Sequence, residues 1–265
     1  MRAKSRQACG TQSRPDSAQR GHGLGIVRVF DLSPRRVEAA DMPFVVVNMS
    51  MTADGKIATG NRRVSSFGSP RDQEHLLELR ATADAVMCGA RTVDLNEIDM
   101  GPGPVKYRRR RLRAGLAEYN LRVVVSGSGS VNTGARLFKE RSSPTIVLTT
   151  ERATGRRLAR LAAAADQVCV CGREEISFRR ALVWLRAEWG VKRLLCEGGG
   201  ELNAALFLAG LVNELHLTIC PLIIGGRQAP TIADGVGVAG LADAVRLSLL
   251  SQRRIGEEIF QVWCL

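Results

Sequence analysis

The stretch 194–203 places a carboxylate and three consecutive glycines between an apolar run and a helical pattern. Glycines let the backbone turn tightly and let a ligand approach the main chain. The free amides at the start of the following helix favour an anion. Glu197 repels an anion, so we expect it to face a differently charged group. The pattern indicates a phosphate-bearing cofactor beside a polar substrate; the alternative is a tight connection that binds nothing.

A second polar stretch, 48–56, follows the first convincing strand pattern and contains Ser50, Asp54 and Lys56. Ligands of open α/β sheets bind beyond the carboxyl ends of the strands. In the functional interpretation, Asp54 and Lys56 contact the substrate and Ser50 contacts the cofactor. A turn without a ligand is the alternative, because Asp-Gly is a common turn dipeptide.

Two more polar places follow predicted strands. Small residues at 89–92 open a short helix that could meet a phosphate. The hydroxyls of Thr149 and Thr150 could bond a cofactor ribose or phosphate. The same pair could equally well be the cap of a helix.

Predicted strands and helices alternate along the chain from residue 43 onward, and these elements must position the polar residues. Ser69, Pro70 and Asp72 together are typical of a helix start, and this helix is predicted to run to Arg80. Further helices are predicted at 178–189 and 202–209. Strands are predicted at 44–49, 85–88, 121–125, 145–148, 167–171, 193–196, 214–220, 245–249 and 258–263. This order predicts an α/β fold with a mostly parallel sheet, covered on both faces and ending in an antiparallel hairpin.

Composition narrows the class of protein. The 265 residues are 45% apolar, as in ordinary globular proteins, and no apolar run is long enough to span a bilayer. Seven cysteines, an odd number, do not favour a disulfide framework. We expect buried free thiols and a reducing, cytoplasmic compartment; the cysteines that lie in strand-like stretches are Cys88, Cys169, Cys196 and Cys220. The three histidines lie far apart in the sequence, and no Cys-x-x-Cys pair occurs. We therefore expect no metal site.

The net charge of +12 is concentrated in two segments. Residues 1–41 hold eight Lys and Arg against four Asp and Glu, and 106–113 hold six cations without an acid. The first segment is predicted to be a poorly ordered tail, with an organellar transit peptide or a start of translation at Met42 as alternatives. The second is interpreted as a solvated loop that could steer phosphorylated ligands. Nucleic-acid binding is not favoured, since only Tyr107 is at hand for base stacking.

Five short motifs follow one another in the order in which they occur in a known protein family. The stretch 51–58 is similar to a Leu-Asp-Gly-Lys-Ile-Ala signature, and 79–93 to an Arg-Ala block followed by Gly-Thr-Val. The stretch 197–203 is similar to Glu-Gly-Gly-Gly-Thr-Leu-Asn, and 209–214 and 221–226 match Gly-Leu-Val-Asp-Glu and Pro-Lys-Leu-Ile-Gly-Gly motifs. From about residue 43 to 263 the chain resembles the riboflavin-biosynthesis pyrimidine reductases, which occur as a domain of a bifunctional deaminase–reductase and as stand-alone enzymes.

This resemblance implies a dihydrofolate-reductase-like, three-layer αβα fold, a homodimer and NADPH. It implies reduction of the ribose of a phosphorylated ribosylamino-pyrimidine to a ribityl chain. Lys56 and Glu197 match positions that would polarise or protonate the sugar, and Asp54, Arg80 and Glu197 would contact the substrate, Arg80 at its phosphate. Cofactor contacts are expected from Ser50, Thr92, Asn96, Thr149, Thr150, Gly198, Gly199, Gly200, Glu201 and Leu202.

The chain also departs from the family pattern. Asn96 stands where a cofactor-contacting Asp is expected, and no Asp-Pro turn follows it. Ser126-Gly127 replaces an Asp-Ser pair, and the sequence around 101–113 replaces a loop with substrate contacts. No zinc-deaminase signature is present. A reductase with a shifted substrate and a catalytically silent NADPH-binding relative are therefore the alternatives.

Overall fold

The computed structural model describes residues 26–29, 41–62 and 67–265. Ten strands of this part share one sheet. In chain order they are β1 Ile26–Val29, β2 Phe44–Thr52, β3 Ala85–Gly89, β4 Leu121–Val125, β5 Thr145–Thr149, β6 Gln167–Val170, β7 Arg193–Cys196, β8 Glu214–Cys220, β9 Ser248–Ile255 and β10 Glu258–Cys264. The helices are α1 Pro70–Arg80, α2 Ala90–Leu95, α3 Val105–Arg113, α4 Arg136–Lys139, α5 Gly155–Ala164, α6 Phe178–Trp189 and α7 Gly200–Leu208.

The sheet is parallel except at its C-terminal edge. Its order is β1-β6-β5-β4-β3-β7-β2-β8-β10-β9, and β10 is antiparallel to both β8 and β9. The predicted α/β class with a C-terminal antiparallel hairpin is confirmed. Because β3, β7 and β2 are parallel neighbours, their carboxyl ends bring Gly89, Glu197 and Ser50 to one edge of the sheet.

Apolar side chains fill both faces of the sheet. One buried cluster joins Val47 to Leu182 of α6 and Leu206 of α7. A second cluster joins Val46 to Leu79 of α1. Successive strand residues point to opposite faces, so these clusters are the two layers of the core. The cysteines expected to be buried free thiols (Cys88, Cys169, Cys196 and Cys220) are buried and unpaired.

Helix α1 begins as the sequence predicts. The Ser69 hydroxyl accepts hydrogen bonds from the amides of Arg71 and Asp72, and Pro70 occupies the first turn. The carboxylate of Glu258 on β10 accepts from both the amide and the hydroxyl of Ser69. This second contact fixes the start of α1 against the C-terminal hairpin.

Three predicted elements differ from the structure. The basic run 106–113 is wrong as a loop, because it lies in α3 with Tyr107 and Arg111 buried one turn apart; an inward-facing arginine hid the helical period. Thr149 and Thr150 do not cap a helix, since α5 begins at Gly155. The strand expected at 245–249 is instead β9, whose side chains are exposed almost throughout and give no alternating pattern.

Strand β1 lies within the segment 1–41 that was expected to be a poorly ordered tail. Ile26–Val29 pairs in parallel with β6, so that expectation does not hold for these four residues; 1–25 and 30–40 are outside the described ranges. None of the helices in the described part combines the length and apolarity that crossing a bilayer requires.

Candidate active site

A buried ion pair lies at the carboxyl end of β7. The Arg80 Nε and Nη2 atoms donate to the two Glu197 carboxylate oxygens at 2.6 and 2.7 Å, and the side chains are only 10% and 14% exposed. The expectation that Glu197 faces a differently charged group is confirmed. Burial lowers the pKa of Arg80, but the adjacent Glu197 carboxylate outweighs it and raises that pKa above its ordinary value.

The Nη1 donors of Arg80 are engaged as well. Nη1 donates to the Gly101 carbonyl at 2.8 Å and to Asp99 at 3.3 Å. An arginine side chain has five N–H donors in a fixed fork, and four of these meet protein acceptors. A ligand would have to compete with these acceptors for all but one Nη2 donor. The assignment of Arg80 to a substrate phosphate stays a prediction.

Asp54 ties the turn after β2 to a distant loop. Its carboxylate accepts from the Thr52 hydroxyl at 2.5 Å, the Gly225 amide at 2.7 Å and the Ile224 amide at 3.2 Å. The Thr52 hydrogen bond, aided by those amides and opposed by partial desolvation, lowers the pKa of Asp54 to about 2. These contacts give Asp54 a structural use, and its contact with substrate stays a prediction.

The segment 229–234 brings Lys56 and the glycine turn together. Lys56 pairs with Thr231 in an isolated β-bridge, and its Nζ donates to the Ala229 carbonyl at 3.2 Å. The same segment reaches α7, because the Asp234 amide donates to the Gly200 carbonyl at 3.0 Å. Sequence reasoning missed this segment, which carries no signal beyond its turn residues.

The three glycines have different structural roles. Gly198 has a φ of +82°, and its carbonyl accepts from the Gly89 amide at 2.9 Å. The peptide between Gly198 and Gly199 is cis. A Cβ added at Gly200 would lie 2.5 Å from the Thr231 carbonyl oxygen, whereas a Cβ at Gly199 would meet nothing within 4 Å. Gly199 is thus the glycine that faces open space.

The start of α7 suits an anion. Gly199 is its N-cap, and no side chain within the described ranges accepts from the first amides of the helix. These amides and the positive end of the helix dipole favour negative charge. Leu202 is buried in the core, and exposed Glu201 pairs with Arg91 at 3.4 Å. The residues present therefore fit the pyrophosphate of a dinucleotide at Gly199.

Thr92 lies on the neighbouring helix α2, and Asn96 follows its last residue as the C-cap. The Asn96 side-chain amide donates to the Thr92 carbonyl at 3.1 Å. Asn96 also lines an open cavity of about 440 Å³ together with Asp94, Arg136 and Lys139. The Gly89 hydrogen bond to Gly198 brings the start of α2 beside the glycine turn, so both residues lie on an element adjacent to it. Their contact with a cofactor stays a prediction.

The other predicted hydroxyls have protein partners. Thr149 and Thr150 are fully buried, and both hydroxyls donate to the Gly127 carbonyl, at 3.1 and 2.8 Å. The Ser50 hydroxyl donates to Asp72 at 2.6 Å. The Thr150 hydroxyl also accepts from the Arg152 amide at 3.2 Å. These hydroxyls therefore offer a ligand only their remaining acceptor lone pairs, and their cofactor roles stay predictions.

Two histidines far apart in sequence meet between α1 and the sheet. His75 Nε2 and His216 Nδ1 are 3.2 Å apart, and Phe260 packs edge-on against His75. Glu78 lies 3.8 Å from His75, and Glu214 lies 3.3 Å from His216. Burial nevertheless lowers both pKa values below the ordinary 6.5. In the residues that the structure describes, no group of three or more His, Cys, Asp or Glu could hold a metal ion.

This histidine pair predicts acid-sensitive stability. The unfolded chain protonates its histidines near pH 6.5, whereas the folded pKa values are lower, so the unfolded state binds more protons in that range. The free energy of unfolding should therefore fall as pH drops below about 6.5. Melting temperatures of wild type and a His75→Gln/His216→Gln variant across this range test it. A variant with the same pH dependence as wild type would contradict it.

The family model of the RibD C-terminal domain matches residues 43–260. The chain belongs to this family. It is 34% identical over 217 residues to the 2,5-diamino-6-ribosylamino-4(3H)-pyrimidinone 5′-phosphate reductase of Methanothermobacter thermautotrophicus, covering 82% of this chain and 95% of that protein. The protein of the same name from Archaeoglobus fulgidus is 32% identical over 193 residues, with coverages of 73% and 87%.

Solved structures of RibD proteins and their relatives share the fold. A pyrimidine reductase-like protein from Corynebacterium diphtheriae superposes with a TM-score of 0.70 at 22% identity, covering 84% of this chain and 91% of that chain. RibD from Acinetobacter baumannii gives 0.68 at 18% identity and covers 85% of this chain, which spans 58% of that protein. The predicted reductase family and its dihydrofolate-reductase-like fold are confirmed.

Proposed function

We propose that this RibD C-terminal domain protein is an NADPH-dependent reductase of riboflavin biosynthesis. It reduces the ribose of a 5-phosphoribosylamino-pyrimidine to the ribitylamino form. The observation that carries the proposal is the uncapped start of α7 at Gly199, next in the chain to the buried Glu197–Arg80 pair. The names of the relatives at 34% and 32% identity support the substrate class and a nicotinamide cofactor.

The amides at the start of α7 would hold the cofactor pyrophosphate, because no side chain in the described part of the chain accepts from them. Gly199 leaves room for that approach. When bound, the reduced nicotinamide supplies a hydride to C1′ of the opened sugar. Thr92 and Asn96, on the element beside the glycine turn, and Ser50 at the end of β2 complete the cofactor contacts that we propose.

Lys56 and Glu197 take different parts in this proposal. The bidentate hydrogen bonds from Arg80 neutralise Glu197, which suits it to accept hydrogen bonds from the substrate and orient it. Among the residues that the structure describes, the Lys56 ammonium has one hydrogen-bond acceptor, the Ala229 carbonyl. An ammonium has three N–H donors, so Lys56 is the better candidate to protonate the reacting nitrogen or oxygen.

NADPH is proposed over NADH because cations lie near the predicted cofactor contacts. Arg136 and Lys139 line the cavity of Asn96, and a 2′-phosphate needs such partners. Arg152 is a second candidate, although it already lies 3.8 Å from Glu174. We also propose a homodimer, since β9 exposes Leu249 and Leu250 on a sheet edge that is unpaired among the described residues. The free thiols support our proposal of a cytoplasmic location.

An NADPH-oxidation assay tests this function. We expect NADPH consumption with the diamino or the deaminated ribosylamino-pyrimidine phosphate, slower consumption with NADH, and none with dihydrofolate. Asn96 and the altered segment around 101–113 leave two alternatives, a reductase with a shifted substrate and a catalytically silent relative. Measuring NADPH binding in parallel by fluorescence quenching separates these from the proposed enzyme. NADPH binding without turnover of either pyrimidine would indicate a shifted substrate or a silent relative.

A further inference from the structure

One arginine of the basic run points away from solvent. Lys106 pairs with Glu74 and Arg108 with Glu118 at the surface, but Arg111 is completely buried. Its Nη1 donates to the Arg80 carbonyl at 2.8 Å and to the Ala83 carbonyl at 2.5 Å, and its Nε donates to a third carbonyl at 2.8 Å. Burial lowers the pKa of Arg111 to about 10, which still leaves it charged at neutral pH.

Asn120, just before β4, reaches the same place. It is fully buried, and its side-chain amide donates to the Arg80 carbonyl at 2.8 Å and to the Ala83 carbonyl at 2.7 Å. The last carbonyls of a helix lack partners within the helix, and a cation there is favourable. Two side chains from separate parts of the chain therefore hold the end of α1 and the turn after it at the same two oxygens.

The residue held in this way carries the central guanidinium of the site. The Arg80 side chain meets Glu197 at 2.6 and 2.7 Å, while its backbone is fixed by Arg111 and Asn120. A misplacement of about 1 Å from a change outside the reacting groups can cost an enzyme 100-fold in rate. Fixing the Arg80 backbone thus fixes where the Glu197 carboxylate lies.

We propose that Arg111 and Asn120 are positioning residues for the Arg80–Glu197 pair. They act through the backbone of Arg80 and do not touch the substrate or the cofactor. Their effect on catalysis rests on the proposed reductase function. Their effect on the geometry of the ion pair does not, and it can be measured separately.

The chain provides a matched control. Arg122 on β4 is also buried, and it donates to the carbonyls of Leu137, Glu140 and Ser143 at 2.6–2.9 Å. Burial lowers its pKa as well. It has the same chemistry as Arg111, but none of its hydrogen bonds goes to Arg80 or Glu197. Arg111→Met and Arg122→Met should therefore both lower the melting temperature.

The decisive readout is the side-chain Nε–H signal of Arg80 in ¹H–¹⁵N NMR spectra of the full chain, assigned by its loss in Arg80→Lys. We expect Arg111→Met and Asn120→Leu to shift or broaden this signal and Arg122→Met to leave it unchanged. Should Arg111→Met fail to fold, Arg111→Lys replaces it, because lysine keeps the charge but loses the two-carbonyl fork.

Kinetics give the second readout. Arg111→Met should lower kcat/KM about 10- to 100-fold, with NADPH affinity unchanged and with partial rescue in Arg111→Lys. At saturating NADPH, Arg122→Met should keep kcat/KM for the pyrimidine near wild type. An unchanged Arg80 signal in Arg111→Met and Asn120→Leu, or equal kinetic losses in Arg111→Met and Arg122→Met, would overturn the proposal. A shifted signal in a protein without turnover would uphold positioning and refute the reductase function.

Discussion

Replacing Arg80 with alanine is expected to lower the free energy of unfolding by about 3–5 kcal/mol, because the change leaves a buried carboxylate without its cation. Glu197 is 14% exposed and receives two hydrogen bonds from Arg80. Removing Glu197 as well should cost less than the sum of the single changes, which a double-mutant cycle in denaturant measures.

The surface pair Arg91–Glu201 is the control for this cycle. Its side chains are 56% and 66% exposed at a distance of 3.4 Å, so Arg91→Ala should cost less than about 1 kcal/mol. A cost for Arg80→Ala no larger than that for Arg91→Ala would show that the Arg80–Glu197 pair contributes little.

The same Arg80 variant separates two roles in catalysis. If Arg80 binds the substrate phosphate, Arg80→Ala should raise KM for the phosphorylated pyrimidine and leave an analogue without phosphate unaffected. If Arg80 mainly holds Glu197, kcat/KM should fall for both. The engagement of its guanidinium by Glu197, Asp99 and Gly101 makes us expect the second result.

The second large effect is expected for Gly199→Val. An added side chain would project into open space, so the protein should fold, but it would cover the amides at the start of α7. Each hydrogen bond to a charged group is worth about 1.5–3 kcal/mol, so loss of two should weaken NADPH binding by 100-fold or more. Fluorescence quenching by NADPH measures this.

Two other glycines define the comparison for this variant. Gly155 also starts a helix beside open space, so Gly155→Val should leave NADPH binding unchanged. Gly200→Ala should destabilise the fold, since its Cβ would lie 2.5 Å from the Thr231 carbonyl oxygen. Normal NADPH affinity in folded Gly199→Val would contradict backbone binding of the cofactor.

The parts of the fold that follow apolar patterns could be predicted from the sequence. The bounds of β4, β7, β8 and α6 agree with the expected ranges, since each has a continuous or periodic apolar pattern. Helix α3 was missed because its inward positions include Arg111, whose burial depends on carbonyls of α1 and the turn after it. The bounds of β9 were wrong because a strand exposed along its length has no alternating signal.

Single residues of the candidate site could be predicted from the sequence, but the contacts between distant residues could not. A carboxylate before a glycine turn indicated that Glu197 faces a different charge, but Arg80 is 117 residues away in sequence. Likewise, the 229–234 segment meets Lys56 and Gly200 only through the tertiary fold. The Thr149 and Thr150 hydroxyls were expected to be available to a cofactor. Their local sequence could not reveal that both donate to the Gly127 carbonyl.

The most direct measurement is a crystal structure of the protein soaked with NADPH. We predict pyrophosphate oxygens within hydrogen-bond distance of the main-chain amides at 199–201, with the nicotinamide toward Glu197 and Lys56. A glycine turn that remains empty at saturating NADPH, or that is filled by neighbouring side chains, would contradict the proposed function.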